Sequence, residues 1–134
     1  DNELDAKQIK NLMILNKKLG IRCVFANRSI NFRFKSIFWY LGNKFFTYLF
    51  NFINKSRVRD ALCCAKAFYR QDLFIEKLKA SKFDIDVEIA RNLVMNNKKI
   101  KHINVDYLRR NKSQGKKLKM RDGMKILYRM LINN

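Results

Sequence analysis

A chain of 134 residues holds one domain of ordinary size, or a small domain carrying an extended basic arm. Hydrophobic residues make up 48% of it and aromatics 13%, enough to bury a core, so composition excludes a disordered polyelectrolyte. Thirty Lys and Arg face 11 Asp and Glu, and the resulting net charge of +19 would make a compact monomer repel itself, which calls for a polyanionic partner: nucleic acid or an anionic membrane.

Residues 1–20 set Leu4, Ile9, Leu12, Met13 and Leu15 among lysines, a loose helical pattern that can close at Gly20. From 21 to 56, basic and large apolar residues interleave. Alternation over residues 31–35 suits an extended basic arm, whereas Phe45, Phe46, Leu49, Phe50 and Ile53 recur at helical spacing. Most of these aromatics are expected in the core rather than stacked on bases. The apolar stretch 30–53 does not read as a membrane span. Arg33, Lys35 and Lys44 cut it, and its longest uncharged run covers ten residues, 45–54. A spanning helix needs roughly 20. An amphipathic helix lying on an anionic membrane is the membrane reading that remains.

Residues 57–79 predict a long helix, or two in near register. Cys64, Ala67, Phe68, Gln71, Phe74, Ile75 and Leu78 fall on one face, with Lys66, Arg70, Lys77 and Lys79 beside it. A second helix starts at Asp84 or Asp86, either of which can cap it and suit its dipole. Val87, Ala90, Leu93 and Val94 form its stripe, Arg91 sits at the stripe's edge, and Asn96-Asn97 can stop it. Residues 100–105 read as a strand and 109–117 as a polar loop with five positive charges. A turn at Arg121-Asp122-Gly123 then leads into 125–132, whose alternation predicts a closing strand.

Certain residues in this order carry a further pattern. Arg70-Gln71-Asp72-Leu73-Phe74-Ile75-Glu76-Lys77-Leu78 presents Arg-x-Asp, an apolar pair, a basic residue and Leu. Ala90-Arg91-Asn92-Leu93-Val94 presents Ala-Arg-x-Leu-Val. Lys98-Lys99-Ile100-Lys101 is a basic turn into a strand, and Met120, Gly123 and Ile126 close the set at spacings of three. Over residues 70–126 this resembles the S-four RNA-binding domain. The wider chain, with Tyr40-Leu41-Gly42-Asn43 upstream, resembles the S-four family of small-subunit ribosomal proteins in a reduced organellar form. Gln71 departs from the family by replacing an apolar residue, and the basic loop 109–117 is an insertion.

The resemblance implies an α+β fold. Residues 1–56 would form a basic, aromatic-rich helical or extended region, and residues 57–134 an S-four-type domain of two helices on a small, mostly antiparallel sheet. It implies a structural constituent of an organellar small ribosomal subunit that binds and helps fold the ribosomal RNA. Neighbouring ribosomal proteins, and messenger RNA where it enters the subunit, would be further partners. The absence of proline and the abundance of Asn, Lys, Ile and Phe point to an AT-rich genome such as that of a protist organelle, and with the resemblance a mitochondrion is expected ahead of a plastid. Phosphate contacts are expected from Arg70, Lys77 and Lys82, from Arg91, from Lys98, Lys99 and Lys101, and from Arg109, Arg110, Lys112, Lys116 and Lys117 of the loop. A free-standing S-four-type factor, serving ribosome rescue or RNA chaperoning, is the alternative.

Nothing in the sequence predicts an enzyme. His102 is the single histidine, Asp84 and Asp86 read as helix caps, and four glycines build no phosphate loop. Cys23, Cys63 and Cys64 lack zinc-ligand spacing and are expected to be reduced, buried thiols. No cofactor or metal is expected.

Overall fold

The computed structural model describes residues 4, 6–30, 37–80, 83–96, 99–107 and 120–132. It is α+β, with four helices and a three-stranded mixed sheet among those residues. In chain order the elements are α1 (Ile9–Leu12), β1 (Cys23–Ile30), α2 (Ile37–Asn54), β2 (Lys66–Phe68), α3 (Ile85–Asn96), β3 (Ile100–Tyr107) and α4 (Met120–Ile132).

β1 is the central strand. It runs antiparallel to β2, with Cys23 opposite Phe68 and Phe25 opposite Lys66, and parallel to β3 from Cys23–Ile100 to Ile30–Tyr107. Most of the pairing is therefore parallel, which corrects the expected mostly antiparallel sheet. Residues on both sides of position 56 share this sheet.

Successive side chains of a strand point to opposite faces, and β1 is buried on both. Cys23 and Phe25 join Phe50 of α2, Val87, Ala90 and Leu93 of α3, and Ile126 and Met130 of α4 in the larger core. Val24 and Ala26 pack on the other side with Leu12, Cys63 and Val105, covered by Leu4, Leu15 and Ile21. The sheet is thus sandwiched between a helical layer and the N-terminal segment. That segment forms only one short α-helix, then a hairpin-like turn in which Asn16 and Ile21 exchange two backbone hydrogen bonds of 2.8 Å. Gly20 sits at φ +70° there, the left-handed region open to glycine.

Two predicted elements change identity. Residues 57–79 are not a long helix: they hold β2 and two single 3-10 turns, Arg70–Asp72 and Ile75–Lys77. Pairing of Lys66–Phe68 with β1 overrides the helical period, and Gln71 is exposed rather than on a buried stripe. The closing strand is α4 instead, and its predicted turn at Arg121-Asp122-Gly123 is helical. Asp122, Ile126 and Met130 are buried at a spacing of four, while Tyr128 and Ile132 are exposed. α3 and β3 lie where the sequence places them. The proposed arm 31–35 lies outside the described residues.

Candidate nucleic-acid interface

Most of the described carboxylates lie inside. Asp60 is 1% exposed and binds Arg28, which donates from Nε at 2.7 Å and from Nη2 at 2.8 Å; Asn43 donates to the same carboxylate at 3.2 Å. Burial opposes both charges, yet the mutual hydrogen bonds and attraction outweigh it: the Arg28 guanidinium is raised and the Asp60 carboxyl lowered. Asp72 takes a forked contact from Arg22, with Nη2 at 2.5 Å. Asp84 accepts from Arg129 Nε at 3.0 Å, so its carboxylate ties α3 to α4, where a simple helix cap was expected. Glu88 accepts the backbone N–H groups of Lys79 and Ala80.

Among the described carboxylates only Glu76 and Asp106 are exposed. The cations are placed the other way. Lys7, Lys10, Lys17, Lys18, Lys44, Lys55, Arg57 and Arg59 are exposed, and so are Arg70, Lys77, Lys79, Lys99, Lys101, Arg121 and Lys125. Between Asp5 and Asp60 the sequence carries no Asp or Glu at all.

One group of cations lies at the end of the sheet where Phe68, Cys23 and Ile100 stand side by side. Arg22 enters β1 there, Lys99 enters β3, and the chain leaves β2 toward Arg70. Lys17, from the turn closed by Gly20, sits 4.7 Å from the ring centroid of Tyr69. The 3-10 turns are held against α3 by Asn92, which accepts from the Phe74 N–H, and by Asn96, which donates to Asp72 O. The turns that carry Arg70 and Lys77 therefore lie against the helix that carries Arg91. Arg91 is half-buried, and burial lowers its pKa. Lys77 lies 5.0 Å from the Phe74 ring centroid. Of the twelve predicted contact residues, the structure thus describes Arg70, Lys77, Arg91, Lys99 and Lys101. Lys82, Lys98, Arg109, Arg110, Lys112, Lys116 and Lys117 lie outside the described residues.

A second group was not expected. Just past α2, Lys55 takes a left-handed conformation at φ +47°, and Asn51 redirects the chain. Its side chain donates to Val58 O at 2.8 Å and accepts from Ser56 Oγ and the Val58 N–H. This fold-back sets Arg59 beside α2. A depression of about 310 Å³ forms there, lined by Asn27, Lys44, Thr47, Tyr48, Asn51, Val58 and Arg59. Phe45, expected in the core, is exposed on this side of the molecule with Tyr48 and Phe52. The gap in carboxylates from residue 6 to 59 is the sequence signal that would have drawn attention to it.

His102 is half-buried with its ring edge-on to Phe25, and burial, then the charge of Arg59, lowers its pKa. Cys23 and Cys63 are buried free thiols, pushed up to about 12 and about 11 by burial, whereas Cys64 is exposed, contrary to expectation. Among the described residues no group of His, Cys, Asp or Glu is placed to hold a metal, and no helix is long and apolar enough to cross a membrane. No family model, curated protein or solved structure matches the chain.

Proposed function

We propose that this chain is an RNA-binding structural protein of an organellar, mitochondrial small ribosomal subunit, which helps fold the ribosomal RNA by neutralising its phosphates. The observation that carries the proposal is the segregation of charge. Among the described residues most carboxylates are drawn inward, several as ties between elements, so exposed cations far outnumber exposed carboxylates. Such a surface releases condensed counterions from a polyanion, which makes binding tight and salt-dependent. Double-stranded RNA suits it because its deep major groove hides the bases and leaves phosphates and 2′-hydroxyls to be read by shape. The S-four resemblance adds the ribosome. Its second motif lies on α3, and its first lies on the 3-10 turns that Asn92 and Asn96 hold against α3.

Replacing Arg70, Arg91, Lys98 and Lys99 together by Gln should weaken binding to a small-subunit ribosomal RNA transcript. The slope of log K against log salt should also become shallower, by up to about 0.9 per lost phosphate contact. A titration in which neither changes would remove these residues from the interface. Sedimentation tests the ribosomal assignment. A structural protein stays with purified small subunits in high salt at one copy each, while a free factor washes off.

A further inference from the structure

Building on the RNA-binding function inferred above, we propose that the outer face of α2 seats an unpaired segment of RNA. Bases stack on Phe45, Tyr48 and Phe52, and phosphates lie along Lys44, Lys55 and Arg59. α2 has two apolar faces. Phe46, Leu49, Phe50 and Ile53 pack toward the core. Leu41, Phe45, Tyr48 and Phe52 follow one another at spacings of four, three and four, and are 59%, 58%, 71% and 75% exposed. They form a ridge on the opposite side, and contiguous exposed apolar surface of this kind marks binding sites.

Charge selects the occupant. α2 contains no Asp or Glu, and the cations beside the ridge, Lys44, Lys55, Arg57 and Arg59, are all exposed. The nearest carboxylate in sequence, Asp60, is buried against Arg28. An apolar protein surface would cover the rings but leave these four charges without partners, whereas a nucleic acid strand supplies both ring faces and phosphates. The depression lined by Tyr48, Lys44 and Arg59 brings one ring and two cations to the same place, as a nucleotide requires. Spacing favours an unpaired strand. Residues three and four apart on a helix have Cβ atoms about 5–6 Å apart, wider than the ~3.4 Å rise of a stacked duplex strand. Bases must therefore be drawn out of the stack to meet successive rings.

The test uses fluorescence anisotropy with labelled oligouridylate of about 12 nucleotides, within the usual site size for such surfaces, and a hairpin duplex of equal charge. Tyr48→Ala and Phe52→Ala should each weaken oligouridylate binding by roughly 5- to 150-fold, the range for one lost base–aromatic stack. They should leave the hairpin affinity and the salt slope unchanged, because no charge is lost. Tyr48→Phe should bind like the wild type, and matched thermal melts show that the variants are folded. If the wild type binds both RNAs and the alanine variants bind oligouridylate equally well, the stacking face is wrong while RNA binding stands. If the wild type binds neither RNA in low salt, RNA binding itself fails. If the ridge instead drives flotation with anionic vesicles, or a dimer that Tyr48→Ala dissolves, without any loss of oligouridylate affinity, the proposal is likewise overturned.

Discussion

A carboxylate as secluded as Asp60 is costly to bury, and its environment is built to repay that cost. Arg28 presents two guanidinium nitrogens, and Asn43 adds an amide donor from α2, so β1, α2 and the chain after α2 meet at one charge. Removing one partner of a buried pair leaves the other uncompensated, typically at about 3–5 kcal/mol. Asp60→Ala should lose stability on that order in urea unfolding, with Arg28 left stranded. The sign of the acid dependence follows from the lowered carboxyl. Its contribution is present above the unfolded value of about 3.9 and is lost as pH falls through the lower folded value. Below about pH 4 the wild type should therefore lose stability more steeply than Asp60→Asn as the pH falls. None of this is legible from sequence, because Arg28 and Asp60 are separated by 32 positions and only the fold introduces them.

Helices legible in the sequence are those whose period competes with nothing else. α3 carries acids in its first turn and buries Val87, Ala90 and Leu93, so local preference and packing agree. In α4 the same residues, Ile126 and Met130, satisfy both a strand's alternation and a helix's spacing of four. The deciding member, buried Asp122, is polar and so escapes a search for apolar stripes. β1 is hidden for a different reason: flanked by strands and covered on both faces, it shows no polar alternation, and its partners lie far along the chain. α2 was legible as a helix, but which of its aromatics turn inward was not, since both faces are apolar. Its two faces should respond in opposite ways. Phe50, fully buried, should cost about 3–5 kcal/mol when changed to Ala. Phe52, 75% exposed, should change stability by less than about 0.5 kcal/mol while still weakening binding to unpaired RNA.

At the scale of the whole molecule, the net charge of +19 pointed to a polyanion without fixing its site. The fold adds that, among the described residues, most acids are buried or half-buried and most cations are exposed. Two cationic regions result, one at the sheet end near Arg70 and Lys99, the other beside α2. The sequence pattern named Arg70, Arg91 and the residues around Lys99; of these the structure leaves Arg70 and Lys99 exposed and Arg91 half-buried on α3. The pattern could not locate the second region, which needs the fold-back at Asn51 to bring Arg59 to Tyr48 and Lys44. The central claim, that this surface works by neutralising RNA phosphates, is tested most directly by titrating the wild-type chain against a small-subunit ribosomal RNA transcript from about 50 to 200 mM salt. The account predicts a linear fall of log K with log salt and a total loss of roughly 10³-fold or more, as for six or more phosphate contacts. An affinity that stays flat across that range, or no binding at its lower end, would contradict it.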